Sequence, residues 1–102
     1  MTVDQILSTK GKEVFSVLTS NTVYEALTVM SEKNIGAILV IEQNVLKGIL
    51  SERDYARKIV LKAKSSKKAL VHEIMEVDVQ TVKLSDNLDY CMEVMSKKRV
   101  RH

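Results

Sequence analysis

A stretch near the start of the chain recurs 65 residues further on, where Val17 gives way to Val82, and the shift holds without a gap to the last residue. Ser20, Val29, Met30 and Ser31 return as Ser85, Val94, Met95 and Ser96. Asn21, Val23, Ala26, Leu27, Lys33 and Ile35 return in kind as Asp86, Leu88, Cys91, Met92, Lys98 and Val100. What is repeated is a physical pattern: polar cap residues, an apolar stripe at i, i+3, i+4 and i+7, and a basic exit. Such a duplication restricts the fold to two versions of one supersecondary unit. The copies are unequal. The first continues into two strands and a helix, and the second stops before them. A half-copy leaves apolar faces uncovered, which a small domain tolerates poorly. The sequence is therefore expected to be a fragment, to lack a segment, or to have its core completed by a second chain.

Local patterns fill in the elements. Thr2 to Leu7 suits a short helix with Val3, Ile6 and Leu7 on one face, broken by Ser8 to Lys12 with Gly11. Val14 to Leu18 has the β-branched content of a half-buried strand. Thr22 and Glu25 have the spacing of a capping box, and the helix that follows ends at Lys33-Asn34. Ile35 to Ile41 is nearly all apolar, the mark of a strand buried on both faces. The short turn Glu42-Gln43-Asn44 leads into Val45 to Leu50, which predicts an antiparallel hairpin. A helix to about Lys62 follows, with Tyr55, Ala56, Ile59 and Val60 as its inner face. Lys62 to Lys68 carries four lysines and no acid, a solvated linker. Val71 to Met75 suits a helical turn. Val77 to Val82 alternates as a strand, and Ser85 to Lys98 is a second amphipathic helix with Cys91 as a small core residue. The expected division is 1–68, an N-terminal helix with the first motif and linker, and 69–102, the first half of a second motif.

The turn between the third strand and its helix, Gly48-Ile49-Leu50-Ser51-Glu52-Arg53-Asp54, holds the candidate site. Ser51 occupies an N-cap position and Asp54 the place of a capping-box acid, so one role for both is to satisfy first-turn amides. A hydroxyl, a carboxylate and Arg53 on neighbouring positions at a positive helix end, beside a glycine, also suit a sugar-phosphate.

Composition narrows the function classes. Among 102 residues there are three Tyr, one Phe and no Trp, so the core is aliphatic. The net charge of +3 permits anionic ligands without arguing for nucleic acid. One cysteine forms no internal disulfide, and no apolar run reaches membrane-spanning length, which together favour a cytoplasmic setting. No nucleophile–base pair and no metal-ligand cluster stands out; His72 and His102 are isolated, so catalysis is not expected.

The order strand–helix–strand–strand–helix resembles the cystathionine-β-synthase (CBS) domain. The resemblance is carried by Thr22-Val23-Tyr24-Glu25-Ala26-Leu27, Ile35-Gly36-Ala37-Ile38-Leu39-Val40 and the Gly48–Asp54 turn. Val100-Arg101-His102 is similar to the entry of a second motif into its central strand. The resemblance implies an α+β fold: a CBS-domain pair of β-α-β-β-α repeats, the second incomplete. It also implies a homodimer and a regulatory role toward an effector domain or enzyme. Its ligand would be an adenine nucleotide of the AMP, ADP or ATP type, or alternatively S-adenosylmethionine or NAD, bound in a cleft between motifs. Carried over by position, Ser51 and Asp54 would hold ribose and Arg53 would reach phosphate. Ile35, Gly36 and Ala37 would line adenine, and Arg101 and His102 would face phosphates. Two alternatives remain: a dimerisation scaffold without ligand, and nucleic-acid binding through Arg53, Arg57, Lys58 and the lysines of 62–68, where the one aromatic residue, Tyr55, is assigned to the inner face of the helix rather than to base stacking.

Overall fold

The apolar run after Gly36 becomes the middle strand of a three-stranded sheet. In the computed structural model, which describes residues 1–102, β1 (Ser16–Val17), β2 (Ala37–Glu42) and β3 (Val45–Ser51) lie in that order. β1 is parallel to β2 and joined to it through helix α2 (Val23–Lys33); β3 returns antiparallel. Gln43 and Asn44 take positive φ, 50° and 63°, giving a two-residue turn whose twist suits the flanking strands. Pairing runs from Ala37–Ser51 to Val40–Gly48 and then slips, leaving Lys47 with no residue opposite.

The core belongs to this sheet and the helices on it. Ile38, Val40 and Leu50 cluster with Val23, Ala26 and Met30 of α2, with Ile59, and with Ala69, Val71 and Ile74. β2 is not buried on both faces as expected: Ile38 and Val40 are buried, while Leu39 and Ile41 are half-buried. The helix residues of this cluster cover one face only. β1 is also shorter than Val14 to Leu18. Leu18 N donates to Asn21 Oδ1 at 2.7 Å and Thr19 N to Glu42 Oε1 at 2.8 Å, so side chains take over from the ladder and turn the chain.

Residues 77 to 82 form no strand, against the alternation of their side chains. A strand needs a neighbour for its N–H and C=O groups. In the first copy Val17 pairs with Val40; no residue of this chain stands in the corresponding place opposite Val82. The same gap affects the helix stripe. Val23 is 0% exposed and Leu27 half-buried, whereas their counterparts Leu88 and Met92 are 39% and 56% exposed. Cys91 is half-buried rather than a core residue.

The chain packs as two compact units, Val14–Val79, and Met1–Glu13 with Gln80–His102. A division after Lys68 separates the repeats, but packing follows another line because the lead-in helices are exchanged. In Val14–Val79, α4 (Val71–Ile74) docks at the head of α2: Val23 N donates to Ala69 O at 2.9 Å and Val71 N to Asn21 O at 2.8 Å. In the other unit, α1 (Val3–Lys10) docks in the same manner at the head of α5 (Leu88–Lys98). There Val3 N donates to Asp86 O and Leu88 N to Met1 O, both at 2.8 Å. The bridges Thr22–Leu70 and Thr2–Asn87 are equivalent. The lysine-rich stretch is mostly exposed, yet Ser66 O accepts from Tyr24 N at 2.8 Å and Lys67 lies 5.1 Å from the Tyr24 ring centroid. No helix is long and apolar enough to cross a membrane.

Two outcomes follow from this packing. A Cβ on Gly48 would stand 2.7 Å from Glu76 O and 2.9 Å from Met75 Sδ, so Gly48→Ala is expected to cost about 1–3 kcal/mol, read as a lower Tm. The second concerns acid. The backbone N–H and hydroxyl of Thr22 hold the Glu25 carboxyl below its ordinary 4.5, and the hydroxyl and N–H of Thr19 do the same for Glu42. Both groups bind a proton more readily in the unfolded chain. Their contribution is therefore complete above about pH 4.5 and is lost as pH falls through the lower folded values. Urea midpoints measured on either side of that value should fall on acidification, and less so for Glu25→Gln/Glu42→Gln.

Candidate functional site

β3 delivers Ser51 in extended geometry, φ −118° and ψ 163°, directly into helix α3 (Glu52–Tyr55). The expected capping box is present. Asp54 N donates to Ser51 Oγ at 3.3 Å, while Asp54 Oδ2 accepts from Ser51 N at 2.9 Å and from Ser51 Oγ at 3.0 Å. Glu52 N donates to Gly36 O at 3.1 Å, and Ala37 pairs with Ser51. The structure thus brings Gly36 and Ala37 against the Ser51 turn.

Asp54 is only 6% exposed. A carboxylate so far from water needs a full set of partners. Its second oxygen, Oδ1, meets Lys58 Nζ at 3.1 Å. The same ammonium donates to Ile74 O at 2.9 Å and to Glu76 Oε1 at 2.7 Å. Burial pulls the Lys58 pKa down, but the hydrogen bonds to Glu76 and Asp54 and the attraction of both carboxylates outweigh it, and the pKa lies above the ordinary lysine value.

Beyond Tyr55 the helix widens into a π-helical turn, Ala56–Val60, closed by Leu61 N to Ala56 O at 3.0 Å. This corrects the expected inner face. Ile59 is buried and Tyr55 half-buried, but Ala56 is exposed and Val60 is 54% exposed. The wider winding puts the buried positions five apart, at Asp54 and Ile59. Such turns are frequent at functional sites because they redirect side chains without ending the helix.

A cleft of about 610 Å³ opens between the end of α2 and the turn. Leu27, Met30 and Ile35 supply apolar surface, with Gly36 beside them; Ser31, Asn34, Glu52 and Tyr55 supply polar groups. Ser51, Arg53 and Asp54 do not line it. Arg53 is exposed at the turn. Arg101 and His102 belong to the other compact unit, as exposed, irregular residues after Arg99. The sequence reading gives Glu52 no role and Tyr55 only a place on the inner face of the helix, although they flank Arg53 and Asp54 in the same helical turn. From the sequence, Lys58 stands only within a basic stretch; its i+4 spacing from Asp54 is the available signal. No group of three or more His, Cys, Asp or Glu is placed to hold a metal ion.

Known proteins share this fold. A family model, the CBS domain, matches residues 3–61. The chain is 36% identical over 110 residues to the CBS domain-containing protein CBSX3, mitochondrial, of Arabidopsis thaliana, covering 99% of this chain and 53% of that protein. It therefore spans about half the length of that relative. CBS domain-containing protein YhcV of Bacillus subtilis is 28% identical over 97% of this chain and 70% of its own length. Among solved structures, a CBS-domain protein of Burkholderia ambifaria MC40-6 has 43% identity and a TM-score of 0.95, covering 99% of this chain and 76% of that one. ATU1752 of Agrobacterium tumefaciens, a CBS-domain containing protein, has 27% identity and a TM-score of 0.93, covering 99% of this chain and 81% of that one. The chain belongs to the CBS-domain family.

Removing the Ser51 hydroxyl takes one donor from buried Asp54 and one acceptor from the helix end. Ser51→Ala is expected to cost about 1 kcal/mol, a fall in Tm of roughly 4–8 °C; Ser51→Thr, which keeps the oxygen, should recover most of it.

Proposed function

We propose that the chain is a regulatory module that senses an adenine nucleotide and acts by favouring one arrangement of a larger assembly, either a second copy of itself or an attached effector. Ser51 and Asp54 hold the ribose, Ile35, Gly36 and Ala37 line the base, and Arg53 reaches phosphate. The observation that carries this reading is the fixed carboxylate of Asp54 at a helix head whose neighbours, Glu52 and Tyr55, line a cleft large enough for a nucleoside. An ionised carboxylate has about four acceptor positions, and Ser51 N, Ser51 Oγ and Lys58 Nζ take three. A ribose hydroxyl can donate to the fourth without breaking the cap. The mechanism is differential binding: a ligand shifts the module only as far as its affinities for the two arrangements differ.

The test is a thermal-shift and calorimetric panel of AMP, ADP, ATP, S-adenosylmethionine and NAD. One of them should bind saturably and raise Tm; at a hundredfold excess over Kd the gain is about 2.7 kcal/mol. Asp54→Asn should weaken that binding at least tenfold while circular dichroism remains that of the folded chain. An unchanged Tm across the panel would overturn the reading in favour of a scaffold. Steeply salt-dependent oligonucleotide binding that is indifferent to Asp54→Asn would favour nucleic acid instead.

A further inference from the structure

Lys58 has three N–H donors and three acceptors: Asp54 Oδ1 at 3.1 Å, Ile74 O at 2.9 Å and Glu76 Oε1 at 2.7 Å. One acceptor belongs to the candidate site, and two belong to the last residue of α4 and the segment that follows it. That segment lies against the edge of β3 through a single reciprocal pair, Ile49 N to Glu76 O and Glu76 N to Ile49 O, both at 2.9 Å. Gly48 provides the room for so close an approach, since a Cβ there would strike Glu76 O and Met75 Sδ. Ile74 is anchored in the core, whereas Glu76 is held by that one backbone pair, and a side-chain clasp changes how often such a pair opens. The clasp is firm at its buried end, where Asp54 is 6% exposed, and wet at the other, where the Glu76 side chain is 57% exposed.

We propose that Lys58 is a positioning residue that transmits the state of the Ser51–Asp54 turn to the Ile74–Glu76 segment at the edge of β3, so that a group engaging Asp54 is read out there. This rests on Asp54 being the ligand-holding carboxylate. A hydroxyl donating to Asp54 draws electron density from the oxygen that Lys58 contacts, and the ammonium shifts its share of bonding toward Ile74 O and Glu76. Binding and segment opening are then coupled, and the coupling is reciprocal.

The experiment is amide hydrogen exchange on the whole chain, reading Ile49 and Glu76 against the amides of β2. Without ligand, Lys58→Met should speed exchange at both amides about fivefold or more. Asp54→Asn should give part of that effect, and the double variant should be no faster than Lys58→Met alone. Glu76→Gln, an exposed change that is tolerated if Lys58→Met fails to fold, should speed the same two amides and leave those of the Ser51 turn unchanged. In the wild type, AMP should alter exchange at Glu76. By reciprocity, the factor by which AMP changes the opening of this segment equals the ratio of AMP affinities of its closed and open states. Wild-type rates at both amides in Asp54→Asn, or effects that multiply in the double variant, would overturn the proposal. Absence of AMP binding in the wild type would sink the choice of that nucleotide, while the ligand-free rates still decide the clasp.

Discussion

A carboxylate taken out of water must be matched donor for donor, and in this chain that demand falls on Asp54. Ser51 answers it from one side with its amide and hydroxyl, and Lys58 from the other with its ammonium. Each answer organises something beyond the pair. The Ser51 bonds begin α3 at the end of β3 and so set the direction of the helix leaving the sheet. The Lys58 bond carries the same charge to the chain that follows α4. The geometry around the candidate cleft, the exit of the helix and the position of the connecting segment are thus tied to one buried ionised group.

The exchange of lead-in helices has a related cause. An amphipathic helix such as α2 begins with amides that have no partner within the helix. Thr22 and Glu25 satisfy part of that need locally, and the carbonyls of Ser66 and Ala69, ahead of α4, accept from Tyr24 N and Val23 N. The second copy meets it in the same way, with α1 from the beginning of the chain serving the head of α5. Motif boundaries in the sequence and packing boundaries in space therefore differ by one short helix.

Features held by near neighbours were legible from the residues alone. The capping boxes of α2 and α3, the stop at Asn34 and the hairpin turn at Gln43-Asn44 each depend on groups within a few positions of one another. Features that need a distant surface were not. The alternation of Val77 to Val82 is that of a strand, but with no ladder opposite it the backbone takes another course. The apolar run of β2 predicted burial on both faces and received it on one. The widening of the helix after Tyr55 left no periodic trace, and it moved Val60 from the expected inner face to solvent.

By itself the sequence determined where helices begin, how the hairpin turns, which family the motifs resemble, and that Ser51 and Asp54 meet at a helix head, because each of these is decided by bonds spanning three or four residues. Only the tertiary structure decided how deeply Asp54 is buried, that Glu52 and Tyr55 rather than Asp54 line the cleft, and that Lys58 joins the turn to Ile74 and Glu76. Those depend on which surfaces come together across sixteen or more positions, and residue spacing carries no record of that.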